Sequence, residues 1–304
     1  MKDFKEMIAL AKEVGPKIIS VACAQDKEVL IAVENARKEG IANAILIGDT
    51  EKIKEIADRQ AIDLSNYEIV DEKDIKAASL RAVELVSSGK ADILMKGILD
   101  TSIILKAVLD KEVGLRTGNV LSHVGIFAVP GYDRLFFVTD AAMNIEVNVK
   151  IKKQIIENAV HAAHAIGVKE PKVALLCAKE KVNEKMPATV EAKVLEDMYK
   201  AGEFEGCIVG GPFGLDNAIS EEAAKHKGIN HPIAGKADIL VASDIEAGNM
   251  LYKSMVFLGR AEGAAILIGT KAPVVLTSRV DSDATKLNSI ALGVLIAAKK
   301  YEVH

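Results

Sequence analysis

Ser278 and Arg279 lie where an apolar β run gives way to a helix, a junction that suits anion binding. The run ends at Thr277, and the pattern predicts a helix that begins around Asp281 or Ser282. The first N–H groups of such a helix have no partner within it and lie at the positive end of its dipole. A hydroxyl and a guanidinium beside them can hold phosphate, the guanidinium through two parallel hydrogen bonds. The simpler interpretation is that Asp281 or Ser282 only caps the helix and Arg279 is solvated.

A second junction of this kind follows a predicted buried strand that ends at Met95. Lys96 and Gly97 come directly after the strand, and Thr101-Ser102 lie at the start of the next predicted helix. Lysine, glycine and hydroxyl residues at a strand-to-helix turn could hold another phosphate group. The spacing differs from the nucleotide P-loop, which has a longer glycine loop before its Gly-Lys-Ser/Thr. The alternative is an ordinary glycine turn before a capped helix.

A third segment carries Asn249 early in the helix that follows the strand Ile239–Val241. Ala247 and Gly248 are small enough to let a ligand approach the backbone, and the asparagine amide can both donate and accept hydrogen bonds. The alternative is that Ala247 and Gly248 allow tight packing between helices. The sequence pattern alone leaves both interpretations open.

Short apolar runs that alternate with amphipathic stretches must position these three segments. This alternation predicts an α/β fold with parallel sheets covered by helices on both faces. The predicted strands are 17–23, 44–47, 93–95, 124–129, 135–139, 173–177, 207–209, 239–241, 265–268 and 274–277. The predicted helices include 26–39, 50–60, 73–87, 102–109 and one that starts near Glu146. The stretch 120–139 breaks the alternation, because two strands joined at Pro130-Gly131 predict an antiparallel hairpin.

The bulk composition limits the class of protein. A length of 304 residues predicts two domains, and 140–146 is a plausible crossing point between them. A net charge of −4 argues against a nucleic-acid partner, which selects a basic face. The apolar runs are shorter than the roughly 20 residues of a membrane span, and the N-terminus is amphipathic rather than a signal peptide. We therefore expect a cytoplasmic protein.

The cysteines and histidines do not predict a metal site. Cys23, Cys177 and Cys207 are too scattered for a metal cage or a disulfide framework. Cys177 and Cys207 border apolar runs, so we expect buried thiols in a reducing compartment. His161 and His164 share a helix face, but no third ligand accompanies them.

Strings over most of the chain resemble the phosphate acetyl/butyryl transferase family, and its butyryl branch in particular. They are MKGILDTS (95–102), RLFFVTDAAMN (134–144), VALLCAKEKVNEKMPATVEA (173–192), GPFGLDNAIS (211–220), AGKADILVASDIEAGNMLYK (234–253) and LTSRVDSDATKLNSIALG (276–293). The resemblance implies two parallel-sheet α/β domains with an interdomain cleft, as in isocitrate and isopropylmalate dehydrogenases. The expected domains are 1–140 with 278–304, whose helix returns to the first domain, and 141–277. A homodimer or larger homo-oligomer without a tightly bound cofactor is also implied.

The resemblance extends to individual site residues. Ser278 and Arg279 match the family's Ser-Arg pair, which is associated with the reacting acyl and phosphate groups. Asn249 and Lys253 match the AGN…YK segment that lines the cleft. In the acetyl branch an aspartate six positions after the arginine is a proposed base for the coenzyme A thiol. This sequence has Thr285 there.

The expected reaction is direct transfer of a short acyl group between coenzyme A and phosphate. Arg279 would hold phosphate against the thioester carbonyl, and Ser278 would donate to the oxyanion or the departing sulfur. In the reverse direction Asp281 or Asp283 would accept the thiol proton, and Asp281 fits the butyryl-type Ser-Arg-x-Asp-Ser string. The wall of the site opposite the Ser-Arg pair would bind phosphate or the coenzyme, and it would comprise Lys96, Gly97, Thr101 and Ser102.

Three alternatives remain open at the level of sequence. The acyl group could be acetyl rather than butyryl. The same scaffold could oxidise a hydroxy acid with a nicotinamide cofactor and a divalent metal, for which Asp281 and Asp283 would supply oxygen ligands. A phosphate or acyl-ligand sensor without turnover could use the same anion site.

Overall fold

The computed structural model describes residues 1–278 and 280–299. The helices are α1 (Phe4–Val14), α2 (Lys27–Lys38), α3 (Thr50–Arg59), α4 (Ile75–Ser87), α5 (Thr101–Val108), α6 (Val149–Ala165), α7 (Pro187–Lys200), α8 (Leu215–Ile219), α9 (Glu221–His226), α10 (Ile245–Phe257) and α11 (Asp283–Ala298). The strands are β1 (Lys17–Ala22), β2 (Ala42–Gly48), β3 (Glu68–Asp71), β4 (Ile93–Lys96), β5 (Ser122–Ala128), β6 (Phe136–Thr139), β7 (Lys172–Leu176), β8 (Ile208–Phe213), β9 (Ile239–Val241), β10 (Glu262–Ile268) and β11 (Val274–Val275). Within the described residues, every helix is too short or too polar to serve as a membrane span.

The chain divides into two compact units. The first unit comprises Phe4–Asn119 and the chain from Gly263 onward, and the second comprises Met1–Asp3 and Val120–Glu262. In the first unit the strand order is β3-β2-β1-β4-β11-β10, parallel except for β11 with β10. In the second unit the order is β5-β6-β9-β7-β8, parallel except for β5 with β6. The predicted α/β class with mostly parallel sheets is confirmed.

The compact units begin and end at other residues than the domains expected from the sequence, 1–140 with 278–304 and 141–277. β5 and β6 belong to the second unit, because β6 pairs with β9 and the ring of Phe127 in β5 packs 5.0 Å from that of Tyr252. β11 belongs to the first unit because it pairs with β4. α11 packs against α1 and α2 of the same unit.

All ten predicted strands are present, with bounds shifted by a few residues. β3 was missed because Glu68–Asp71 is only partly buried and lacks an apolar run. The hairpin predicted in 120–139 is confirmed by the antiparallel pairing of β5 with β6. β10 and β11 are antiparallel as well, since the connection 269–273 is too short for a crossover. α6 begins at Val149 rather than near Glu146.

The first unit brings the carboxyl ends of β1, β4 and β11 to one edge of its sheet, because these neighbouring strands are parallel. α11 lies close against this sheet. A Cβ at Gly293 would be 3.3 Å from Val275 Cγ2 and 3.4 Å from Ile93 Cγ2, so the glycine permits the close approach. Ligands of open α/β sheets bind outside the carboxyl ends of the strands, which makes this edge the expected position of a site.

Candidate active site

The two predicted anion-binding junctions lie on neighbouring loops of the first unit. β4 pairs directly with β11, with Leu94 beside Val274 and Met95 beside Val275. The chain that follows each strand therefore leaves the sheet at the same edge. From the sequence, these two segments were expected on opposite walls of the site. Direct pairing of their strands puts them on adjacent loops instead.

Ser278 is held in a tight turn by Asp281. The Ser278 N–H donates to Asp281 Oδ2 at 2.7 Å, and the Asp281 N–H donates to the Ser278 carbonyl at 3.2 Å. Ser282 caps α11, because its Oγ accepts from the Thr285 N–H at 3.1 Å. The alternative of Asp281 as the cap is wrong, since its carboxylate closes the preceding turn. Arg279 lies outside the described residues.

The two candidate bases differ in their surroundings. Asp281 is partly buried and its carboxylate contacts the backbone of Ser278. Asp283 is the first residue of α11, also partly buried, where the helix dipole favours a negative charge. A carboxylate in either position can accept a proton from a thiol, but only Asp281 of the two is hydrogen-bonded to the backbone of Ser278 among the described residues.

Two buried polar residues next to this turn were not predicted from the sequence. Thr277 is buried, and its Oγ1 has no hydrogen-bond partner among the described residues. Lys286 is 3% exposed, and its Nζ donates to the Asp281 carbonyl at 2.5 Å. The helical spacing could have indicated that Lys286 is buried. It lies three and four positions before Ser289 and Ile290, on the same face of α11, and both of these residues are buried. Lysine is rarely fully buried.

The loop after β4 is fixed by Lys96 and Gly97. Lys96 is buried, and its Nζ donates to the carbonyls of Gly97 at 3.3 Å and Leu99 at 3.2 Å. A Cβ at Gly97 would lie 2.1 Å from the Cys23 carbonyl oxygen and 2.6 Å from that of Ala22. Glycine is therefore required here for packing against the end of β1.

Thr101 and Ser102 are the first two residues of α5, and both are exposed. Asp100 occupies the N-cap position, but its side chain makes no capping hydrogen bond. The hydroxyls of Thr101 and Ser102 thus lie at the positive end of a helix dipole, where an anion would be stabilised.

Asn249 and Lys253 lie in the second unit, on α10. Asn249 Nδ2 donates to the Ala141 carbonyl at 3.0 Å. A Cβ at Gly248 would lie 2.2 Å from the Asp140 carbonyl oxygen, so this glycine serves close packing of the helix against a loop. Lys253 Nζ lies 5.6 Å from the ring centroid of Tyr252, within the range of a cation–π contact.

Asp140 was not singled out from the sequence, although it organises the loop that Asn249 contacts. Its carboxylate is buried and accepts hydrogen bonds from the N–H groups of Ala142, Met143 and Asn144 at 2.9–3.2 Å. An aspartate followed by small residues directly after a strand was the available signal.

Within the described residues, no group of three or more His, Cys, Asp or Glu side chains could hold a metal ion. Asp281 and Asp283 therefore lack a third such ligand in that part of the chain. His164, one of the two histidines that share a helix face, lies with its Nε2 2.8 Å from the Gly206 carbonyl oxygen.

The three cysteines are weak nucleophiles at neutral pH. Burial is the main cause that raises the pKa of each thiol, of Cys23, Cys177 and Cys207, to about 11. Cys207 is buried as expected, but the same expectation for Cys177 is wrong. Cys177 lies just beyond the end of β7 and is half-buried, with its Sγ 3.4 Å from the Ala188 carbonyl oxygen.

Iodoacetamide is expected to alkylate these cysteines slowly near pH 7. Only the thiolate reacts, and below its pKa the thiolate fraction grows about tenfold per pH unit, so the rate should climb steadily to about pH 10. Mass spectrometry of each cysteine peptide against time and pH measures this. A rate that levels off near pH 8.5, as for an ordinary thiol, would contradict the raised pKa values.

The structure defines a two-unit α/β protein in which the two turns predicted to bind anions follow neighbouring parallel strands. The sequence matches the family model described as Phosphate acetyl/butaryl transferase over residues 3–79 and 72–294. It is 53% identical to a phosphate butyryltransferase of Clostridium beijerinckii over 298 residues, 98% of this chain and 99% of that relative. The chain belongs to the phosphate acetyl/butyryl transferase family and is an acyltransferase of that class.

Solved structures agree with this assignment. A branched-chain phosphotransacylase from Enterococcus faecalis V583 has a TM-score of 0.82 at 37% identity, with 92% of this chain and 99% of that chain covered. A 4-hydroxythreonine-4-phosphate dehydrogenase from Klebsiella pneumoniae has a TM-score of 0.59 at 12% identity, with the same shares covered, which is a likeness of fold alone. The expected dehydrogenase-like architecture is thereby confirmed.

Proposed function

We propose that this chain transfers a short acyl group between coenzyme A and inorganic phosphate, with butyryl-CoA and phosphate giving butyryl phosphate and coenzyme A. The observation that carries the proposal is the pairing of β4 with β11 in a member of this family. That pairing brings the Ser278 turn, the start of α11 and the Lys96 loop to one edge of a sheet. Phosphate and the pyrophosphate of coenzyme A are both anions of the kind such an edge binds.

In the forward direction a phosphate oxygen attacks the carbonyl carbon of the thioester. The new C–O bond forms, the C–S bond breaks, and the coenzyme leaves as a thiolate. Arg279 and the N–H groups at the start of α11 hold phosphate against the carbonyl, which makes the attack an oriented one. Ser278 donates to the oxyanion that develops or to the departing sulfur. Phosphate is itself nucleophilic, so no acyl-enzyme is needed.

In the reverse direction the coenzyme A thiol must lose its proton, because the thiolate is the nucleophile. Asp281 or Asp283 accepts this proton as a general base. We favour Asp281, because its Oδ2 lies 2.7 Å from the Ser278 nitrogen and so next to the Ser-Arg pair.

The remaining contacts bind the substrates. The end of β4, the loop after it and the start of α5 contribute phosphate or coenzyme contacts from Lys96, Gly97, Thr101 and Ser102. In the second unit Asn249 and Lys253 contribute substrate contacts, supported by their match to the family's AGN…YK segment. Asn249 Nδ2 already donates to the Ala141 carbonyl, so its amide oxygen would take the substrate contact.

We further propose a cytoplasmic homodimer or larger homo-oligomer, with acyl-CoA and phosphate as its substrates. The proposal includes no tightly bound cofactor. Its support is the resemblance of the sequence strings to the family, together with a net charge of −4 that does not suit a nucleic-acid partner.

Butyryl-CoA, or a branched acyl-CoA of four or five carbons, should have a higher kcat/KM than acetyl-CoA. The Ser-Arg-x-Asp-Ser string at 278–282 follows the butyryl pattern, and each added methylene in an apolar pocket is worth about 1–3 kcal/mol. Initial rates with acetyl-, butyryl-, isobutyryl- and isovaleryl-CoA at saturating phosphate measure the preference. A preference for acetyl-CoA would overturn the butyryl assignment and favour phosphate acetyltransferase.

Two further conditions in the same assay separate the rival classes. Turnover should be unchanged by excess EDTA and by added NAD. Loss of turnover in chelator with recovery on adding magnesium, together with reduction of NAD by a hydroxy acid, would favour the dehydrogenase. Binding of phosphate without release of thiol would favour the sensor.

A further inference from the structure

Lys286 holds both ends of the turn that carries the Ser-Arg pair. Its Nζ donates to the Asp281 carbonyl at 2.5 Å and contacts the Ser278 carbonyl at 3.5 Å. The side chain is 3% exposed, and it extends to the Ser278–Asp281 turn from the fourth residue of α11. The C=O and N–H of a trans peptide point in opposite directions. Because the Asp281 carbonyl faces Lys286, the N–H of Ser282 in the same peptide group points away from Lys286.

The position of Lys286 is unfavourable unless an anion is bound nearby. A cation near the N-terminus of a helix opposes the helix dipole. A buried ammonium also requires compensation, which a carboxylate usually supplies. Lys152, another buried lysine, has such a partner, Glu191 Oε2 at 2.8 Å. Among the described residues, none has a carboxylate oxygen within 4.0 Å of Lys286 Nζ.

We propose that Lys286 is a positioning residue for phosphate: it fixes the Ser278–Asp281 turn and supplies positive charge to the anion bound there. This inference rests on the proposed function. Local preferences are violated most often at functional sites, and here the buried cation, the helix N-terminus and Ser278 converge on one turn. Lys96, buried at the end of the neighbouring strand β4, adds positive charge at the same edge.

The test compares Lys286→Met, which keeps an unbranched side chain one atom shorter and removes the charge, with Lys286→Arg, which keeps the charge. Asn288→Ala is the matched control, because Asn288 is buried on the same helix and donates from Nδ2 to the Gly263 carbonyl at 3.4 Å. It loses a comparable hydrogen bond without contacting the turn. Each variant is assayed for butyryl-CoA turnover against phosphate, and for the rise in Tm on adding inorganic phosphate.

Lys286→Met should lower kcat/KM for phosphate by about 10²-fold, the scale of an ångström-sized misplacement, with the KM for butyryl-CoA changed less than about twofold. Lys286→Arg should recover part of this loss. Wild type and Asn288→Ala should gain about 2–5 °C in Tm with saturating phosphate, and Lys286→Met should not.

The two readouts separate failure of this inference from failure of the proposed function. If wild type turns over and Lys286→Met matches Asn288→Ala in kcat/KM and in its phosphate-induced Tm rise, the inference is overturned and the function stands. If wild type lacks turnover but the phosphate-induced Tm rise depends on Lys286, the inference stands and the function fails. If phosphate changes neither rate nor Tm, both are overturned.

Discussion

Arg279→Lys is expected to raise the KM for phosphate and to lower kcat by about 10²-fold or more. Lysine keeps the positive charge but has a single ammonium, so the two parallel hydrogen bonds of a guanidinium to phosphate are lost. Losses of this size accompany removal of one preorganised donor to a developing negative charge. Initial rates against phosphate at saturating butyryl-CoA give both constants.

Arg59→Lys is the control for this substitution. Arg59 is exposed on α3 and pairs with Glu55 at 2.5 Å, so the same chemical change there should leave both constants as in wild type. If Arg279→Lys leaves kcat and the KM for phosphate unchanged, as Arg59→Lys should, the anion site has been assigned to the wrong residues.

Asp281→Asn should lower the rate of coenzyme A consumption by roughly 10²–10⁴-fold, the usual contribution of a general base. Asparagine retains a side-chain oxygen that can accept from the Ser278 N–H, so the turn is preserved while the proton acceptor is lost. The KM for phosphate, measured in the opposite direction, should change little. The rate is measured with butyryl phosphate and free coenzyme A, because only that direction requires proton removal.

Asp283→Asn provides the comparison for Asp281→Asn. Asp283 begins α11, so its substitution should cost about 0.3–1 kcal/mol of stability through the helix dipole and leave the rate near that of wild type. A large rate loss in Asp283→Asn alone would reassign the base to Asp283. Full activity in both variants would show that neither carboxylate is the base.

The strands were predictable because their signal is local. Most of them are runs of four to seven apolar residues that are buried on both faces of the sheet. Such a run can be recognised from the sequence without knowing the tertiary contacts. β3 could not be predicted in this way, because it is an edge strand with partly exposed residues. The extents of the compact units were less predictable, since they depend on which strands pair: β11 with β4, and β6 with β9.

The candidate site was predictable only in its outline. Ser278 and Ser282 could be inferred from a strand-to-helix junction, and the Ser282 cap is confirmed. The role of Asp281 in closing the turn depends on a hydrogen bond to a residue three positions earlier, which composition does not reveal. The contact of Lys286 with this turn could be predicted only by knowing which face of α11 is buried. The role of Arg279 remains a prediction from the sequence.

The most direct test of acyl transfer to phosphate follows both products from one reaction. Purified protein is incubated with butyryl-CoA with and without inorganic phosphate. Free thiol is measured with a chromogenic disulfide, and acyl phosphate is trapped with hydroxylamine. Thiol release should require phosphate, and one butyryl hydroxamate should form for each thiol released. Thiol release at the same rate without phosphate, or without any hydroxamate, would contradict acyl transfer to phosphate.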